Sequence, residues 1–148
     1  MSGTKHLIFR ARRKDNNQWA YGDRVHLIDG TVCLRTWCDQ DRNNLISIDE
    51  DTLGMSTGLD DCVGNVIFEG DILIILDPDS ENIGYNTDVR YLVCWDNDFA
   101  GFLLHLYEGG ELRYMYEELG DASCSFMEVV GNVHDNKEYL MPGMIPGN

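Results

Sequence analysis

"TGLDDCVGNVIFEGDILII", residues 57–75, decides how the chain is read. Its second half, "NVIFEGDILII", is strand, turn, strand. Asp71 to Leu76 is apolar on both faces, the mark of a buried strand. Gly70 gives the freedom a tight corner needs. Glu69 and Asp71 flank it, and an Asp beside a turn caps it by accepting backbone N–H groups. Both acids therefore read as turn residues, exposed ones, rather than as chemistry. "CVGNVIF" just before reads as a hairpin with Gly64-Asn65 at its tip.

Outward from there, short apolar runs bounded by Gly, Asn and Asp recur, which predicts a β domain. Towards the N-terminus, His6–Ala11 is a strand and "KDNNQ" (14–18) its turn. Trp19–Tyr21 and Arg24–Ile28 continue the sheet, and Asp29-Gly30 turns "RVHLIDGTVCLRTW" into a hairpin. Leu45–Ile48 is a short strand, followed by an acidic loop at Asp49–Asp51. Towards the C-terminus, "DPDSENIGYNTD" is a long polar excursion. Val89–Trp95 and Phe102–Tyr107 are strands joined by "DNDFAG". "ELRYMYEEL" (111–119) is read as a helix, because Leu112, Met115, Tyr116 and Leu119 fall on one helical face. Ser125–Val130 closes the sheet, Asn136–Leu140 is a last helical turn, and "MPGMIPGN" frays. Many short strands with tight turns predict a small barrel or roll, since closure removes exposed edges. The division expected is an N-terminal β region over 1–52, a β roll over 53–140, and a tail over 141–148.

At 148 residues, with 43% hydrophobic and 25% charged residues, the chain can bury a real core. No apolar run reaches the length of a membrane span, and "MSGTKHLIFRARRK" has no signal-peptide core. A cytoplasmic protein is expected. Cys33, Cys38, Cys62, Cys94 and Cys124 are odd in number and lack CxxC spacing, which argues for reduced thiols over a disulfide framework or a zinc site. The net charge of −15 is unevenly spread: residues 1–42 hold eight Lys/Arg against five acids, and the remainder three against twenty-one. Such a body repels phosphate backbones, so ordinary nucleic-acid binding is not expected. The basic cluster Arg10, Arg12, Arg13, Lys14 is the local exception.

The signature stretch also resembles the YopX family of phage and prophage proteins, whose hallmark is TGL…D…G…I…EGDI. Thr57, Gly58, Leu59, Asp61, Gly64, Ile67, Glu69, Gly70, Asp71 and Ile72 meet that pattern here. "IFRAR", "VCWDNDFAGF" (93–102) and "EVVGNVHDNKEYL" (128–140) look like the family too, so the resemblance runs from Leu7 to Leu140. Ser56 stands where the family often has an aromatic, and Lys137 where it often has Pro. The resemblance implies an SH3-like β roll around residues 58–130 with an extra N-terminal β region, in a bacterial cytoplasm. It carries no established catalytic residues, and the signature residues read as structural.

No catalytic motif stands out. His6, His26, His105 and His134 lie far apart with no nucleophile motif beside them, and His105 in "FLLHLY" reads as a strand residue. Asp77, Asp79, Glu81 and Asp88 imitate a calcium loop, but Asn82 stands where an EF-hand needs Gly and the flanks read as strands, so no metal or cofactor is expected. Phe9 and Ala11 alternate with Arg10 and Arg12 as on a strand with one solvated face, and those arginines are expected to pair with acids of the same chain. The expected function is a non-enzymatic accessory protein that binds another protein or itself as a homo-oligomer, with Arg10, Arg12, Arg13 and Lys14 as candidate contacts. The alternative is a DNA mimic, whose carboxylates imitate phosphates and occupy a host DNA-binding enzyme.

Overall fold

A computed structural model describes residues 8–36, 45–75, 89–108, 111–120 and 126–140. Ten strands are described: β1 Phe9–Arg13, β2 Trp19–His26, β3 Val32–Arg35, β4 Leu45–Asp60, β5 Val66–Phe68, β6 Asp71–Ile75, β7 Val89–Asp96, β8 Gly101–Glu108, β9 Glu111–Glu118 and β10 Met127–Asn132. A single 3-10 turn, Lys137–Leu140, follows where a last helical turn was expected. The chain is mainly β, and it divides into two compact units, Met1–Gly58 and Leu59–Asn148. No helix among the described residues is long and apolar enough to cross a membrane.

In the first unit, β1 pairs with β2, β2 with β3 and β3 with β4, all antiparallel. β4 then returns to pair with β1, so the four strands close on themselves. The expected hairpins are there. Asn17 and Gly30 take positive φ at the two turns, and Asp29 accepts the Thr31 N–H. Trp19–His26 is one continuous strand rather than the two pieces read from the sequence. Ala11, Ala20, Val32, Leu34 and Ile48 form the core, with Phe9, Ile46 and Leu53 packed against it. Gly22 sits where only glycine fits, since a Cβ there would lie 2.1 Å from the Arg35 carbonyl oxygen across the β2–β3 pair.

The segment 45–60 corrects the sequence reading. It is one sixteen-residue strand, not a short strand followed by an acidic loop. Glu50 and Asp51 still leave the ladder. Between its partners Arg12 and Arg10, β4 advances from Asp49 to Gly54, so the four residues 50–53 oppose Ala11 alone. The surplus is a bulge. The Thr52 hydroxyl fastens it, accepting the Arg12 N–H and donating to the Asp49 carbonyl.

In the second unit the order is β10-β6-β7-β8-β9, antiparallel throughout. β5 follows the end of β4 across the hairpin at 61–65. Ile67 of β5 shares a core with Leu73, Tyr91, Val93, Leu104 and Met127. The second correction falls here. Residues 111–118 are strand β9 paired to β8, not a helix. The register shifts twice, between Leu104 and Leu106 and again at Tyr107. Such shifts break strict alternation, so the apolar spacing imitates a helical period.

Candidate functional site

The aspartates of the signature, with Gly64 and Gly70, lie at two corners of the second unit. Asp61 is 6% exposed and opens the hairpin between β4 and β5. One carboxylate oxygen accepts the N–H groups of Val63 and Asn65, at 3.1 and 2.8 Å. The other accepts the Asn65 side-chain amide at 3.1 Å and the Val129 N–H of β10 at 2.9 Å. Burial pushes its pKa up, but the N–H groups of Val129, Asn65 and Val63 outweigh burial and leave it below the ordinary value. Gly64, at φ 95°, lets the tip turn back.

Gly70 makes the second corner, at φ 89°. Its N–H donates to the Val93 carbonyl and its carbonyl accepts the Val133 N–H, both at 2.8 Å, so one residue ties β7 to the segment after β10. Asp71 accepts the Phe68 N–H at 2.7 Å. It caps the turn as expected, but at 1% exposure it is buried rather than the exposed acid read from the sequence. Glu69 is half-buried. Beyond β10, Asn132 Oδ1 accepts the N–H groups of His134 and Asp135, and Asn136 Oδ1 accepts the Asn132 N–H. Thr57 and Leu59 are half-buried, and Gly58, at φ 81°, ends the first unit.

Sequence reasoning missed one pairing. Tyr91 and Val93 face the core, so Leu92 and Cys94 face the other side of the sheet. In the β7–β8 register this sets Cys94 diagonal to His105, with Sγ 3.4 Å from Nδ1. The signal was available in the hairpin "VCWDNDFAGFLLH", had its register been counted. Chemically the pair is quiet. Burial, and then the charge of Glu69, push the Cys94 thiol up to about 11, so it keeps its proton at neutral pH. Among the described residues no group of three or more His, Cys, Asp or Glu could hold a metal ion. The calcium-like stretch 77–88 lies outside the described residues, as do Cys38 and Cys124.

The basic cluster lies in the first unit. Arg12 stands opposite Trp19, and Arg10 opposite Tyr21. Both guanidinium carbons lie 4.8 Å from the Trp19 ring centroid. Arg10 is only 7% exposed, which corrects the solvated face read from the alternation. It runs along β1 between β2 and β4, with Gly54 opposite on the β4 side. Arg13 pairs with Asp15 two residues on, at 2.7 Å, and Lys14 is exposed. That ion pair is local.

The family model described as YopX protein matches residues 8–141. The chain belongs to the YopX family. Among solved structures, protein EF1440 from Enterococcus faecalis is similar over 93% of this chain and 99% of its own, with a TM-score of 0.57 and 19% identity. At that identity the likeness speaks for the fold alone. No curated protein matches the chain. The YopX signature, as this structure displays it, is a set of corner residues. Its glycines take positive φ and its aspartates accept backbone N–H groups.

Proposed function

We propose that the chain is a non-enzymatic accessory protein of phage or prophage origin, acting in a bacterial cytoplasm. Its β framework binds another protein or a second copy of itself. One observation carries this reading: the aspartates and the corner glycines of the signature, Asp61, Asp71, Gly64 and Gly70, are engaged in holding the scaffold, where a catalytic signature would present groups to a substrate. The protonated Cys94 beside His105 supports it, because a nucleophilic thiol needs its pKa lowered. The β10-β6-β7-β8-β9 sheet, with Ile67 of β5 in its core, supports the SH3-like roll that the family resemblance implies.

The DNA-mimic alternative rests on charge. Leu59–Asn148 holds three Lys/Arg against eighteen acids, while Met1–Gly58 is balanced at eight each. Two of those eighteen, Asp61 and Asp71, are turned inward and cannot imitate phosphates.

The test is capture from a bacterial lysate across a salt series, with the mass of the purified chain measured alongside. A stoichiometric protein complex, unchanged in Cys94→Ser and His105→Ala, is the expected result. Capture of a DNA-binding enzyme released by competing duplex DNA would favour the mimic. A turnover activity lost in Cys94→Ser would overturn the non-enzymatic reading.

A further inference from the structure

The β7–β8 turn, "WDNDFAG" (95–101), holds exposed aromatic rings and a carboxylate on a backbone fixed by its own bonds. Trp95 is 42% exposed and Phe99 48%. Trp95 follows Tyr91 and Val93 in the alternation of β7, so its ring ends the core row, edge-on to Phe102 with centroids 5.2 Å apart. Its indole N–H donates to Asn97 at 2.8 Å. The Phe99 ring lies against Gly101, where a Cβ would come within 3.0 Å of it. The Asp96 carboxylate accepts the Phe99 N–H and the Asp96 carbonyl accepts the Ala100 N–H, both at 2.8 Å. Ala100 takes φ 58°, a left-handed conformation that is strained for a residue with a side chain and that gathers at binding sites.

Asp98 completes the display. It is exposed, and among the described residues it makes no hydrogen bond or ion pair. Asp96 adds a second carboxylate, half-buried, beside it. The unit Leu59–Asn148 has little to neutralise them, with three Lys/Arg against eighteen acids. Of those three, Arg90 is buried in β7, while Arg113 stands on β9 and Lys137 on the 3-10 turn.

We infer that this turn is the docking site for an arginine-rich segment of a partner protein. The inference rests on the binding-module reading and names the partner's chemistry and the surface it meets. A guanidinium is planar, so it stacks on the faces of Trp95 and Phe99, and its fork of N–H donors fits the open Asp98 carboxylate. An ammonium meets the same charge but lacks the stacking plane. The acidic unit draws a cationic segment in and repels nucleic acid. A second copy of the chain does not supply that segment from "FRARR", because Arg10 is buried, Arg12 lies over Trp19 and Arg13 pairs with Asp15. The turn is held in place before contact, so little ordering opposes binding.

The test uses the full chain and two labelled probes of equal charge, a hexa-arginine and a hexa-lysine peptide, titrated by fluorescence anisotropy at physiological salt. Hexa-arginine should bind saturably and about 5-fold or more tightly than hexa-lysine, because ring stacking adds to charge. Phe99→Ser should weaken hexa-arginine about 5-fold and narrow its preference over hexa-lysine, whereas Phe99→Tyr should keep both. Asp98→Lys should weaken binding at least ~10-fold. Glu50→Lys makes the same charge change at an exposed position of the first unit and should alter binding less than about 2-fold. Urea midpoints establish that each variant folds. Absence of peptide binding, equal affinity for the two peptides, or a Glu50→Lys loss as large as that of Asp98→Lys overturns the inference, the last two because charge alone then explains the contact. A protein captured from lysate equally well by wild type and Phe99→Ser overturns this surface and still upholds the binding-module reading.

Discussion

Replacing Asp61 tests whether the YopX signature is scaffold. Asp61→Ala removes the acceptor for three backbone N–H groups and the Asn65 side chain at once. Val63 is exposed and its N–H can return to water. The Val129 N–H, in half-buried β10, cannot do so as readily. Orphaning a buried donor, or losing a bond to a charged acceptor, costs roughly 1–3 kcal/mol. Asn65 is exposed as well, so counting the Val129 amide in full and the Val63 and Asn65 amides as small gives a loss of about 2 kcal/mol, or roughly 7 °C in melting temperature for a chain of this size. Asp61→Asn keeps one carbonyl oxygen and should cost about half of that.

The carboxylate also fixes the sign with pH. Its folded pKa lies below the ordinary 3.8. Such a group stabilises fully above its unfolded value and loses that contribution as pH falls through the folded one. The gap between wild type and Asp61→Asn in urea denaturation should therefore be full at neutral pH and close below 3.8. Amide exchange at Val129 should accelerate in the variant. An Asp61→Ala loss under about 0.5 kcal/mol, the range of ordinary surface changes, would refute the reasoning. So would a gap that persists unchanged to the lowest accessible pH.

Gly70→Val should destabilise by about 1–3 kcal/mol in a thermal melt. A Cβ there meets Val133 only at ordinary contact distance, so the cost is the positive φ itself. Glu69→Gln should stay within about 0.5 kcal/mol; a silent Gly70→Val with a damaging Glu69→Gln would reverse the roles given to the two residues. Gly22→Ala forces a carbon onto the Arg35 carbonyl, so soluble expression or the urea midpoint should fall by the equivalent of about 2 kcal/mol or more. Cys94, at about 11, should form thiolate roughly 100-fold less than a thiol at the ordinary 9.0. Neutral alkylation followed by mass spectrometry should then modify exposed Cys62 well before Cys94, and the order should vanish in denaturant.

What the sequence disclosed follows from how local each signal is. Asp29-Gly30, "KDNNQ" and Gly70 announce their turns through residues that tolerate positive φ, and all three turns form. The β10-β6 pairing and the return of β4 to β1 depend on partners far along the chain, which no local pattern states. β9 was misread because two register shifts disturb the alternation that identifies a strand. Its better signal was Gly109-Gly110, lying in sequence between the paired Glu108 and Glu111. Arg10 looked solvated because alternation gives a side chain's face but not what lies across it. Trp19 on β2 and the bare Gly54 on β4 explain its burial. The Cys94–His105 contact follows from the β7–β8 register, which counting along the hairpin would have offered.

The acidity has a partly structural origin, and this bears on the DNA-mimic reading. At five corners an Asp or Asn side-chain oxygen accepts the N–H of the residue two positions on: Asn16 with Gln18, Asp29 with Thr31, Asp49 with Asp51, Asp61 with Val63, and Asn132 with His134. The ten strands of the described residues need many corners, and a side chain that mimics a backbone turn fills them. Three of the five are carboxylates, placed by strand ends and by the β4 bulge and not by the spacing of phosphates along a duplex. Asp96, at the β7–β8 turn, is placed by the same need. An acidic stripe spaced like a nucleic-acid backbone would have to be built from the remaining acids, on strand faces where alternation sets their positions. Turn chemistry therefore accounts for part of the charge without any ligand.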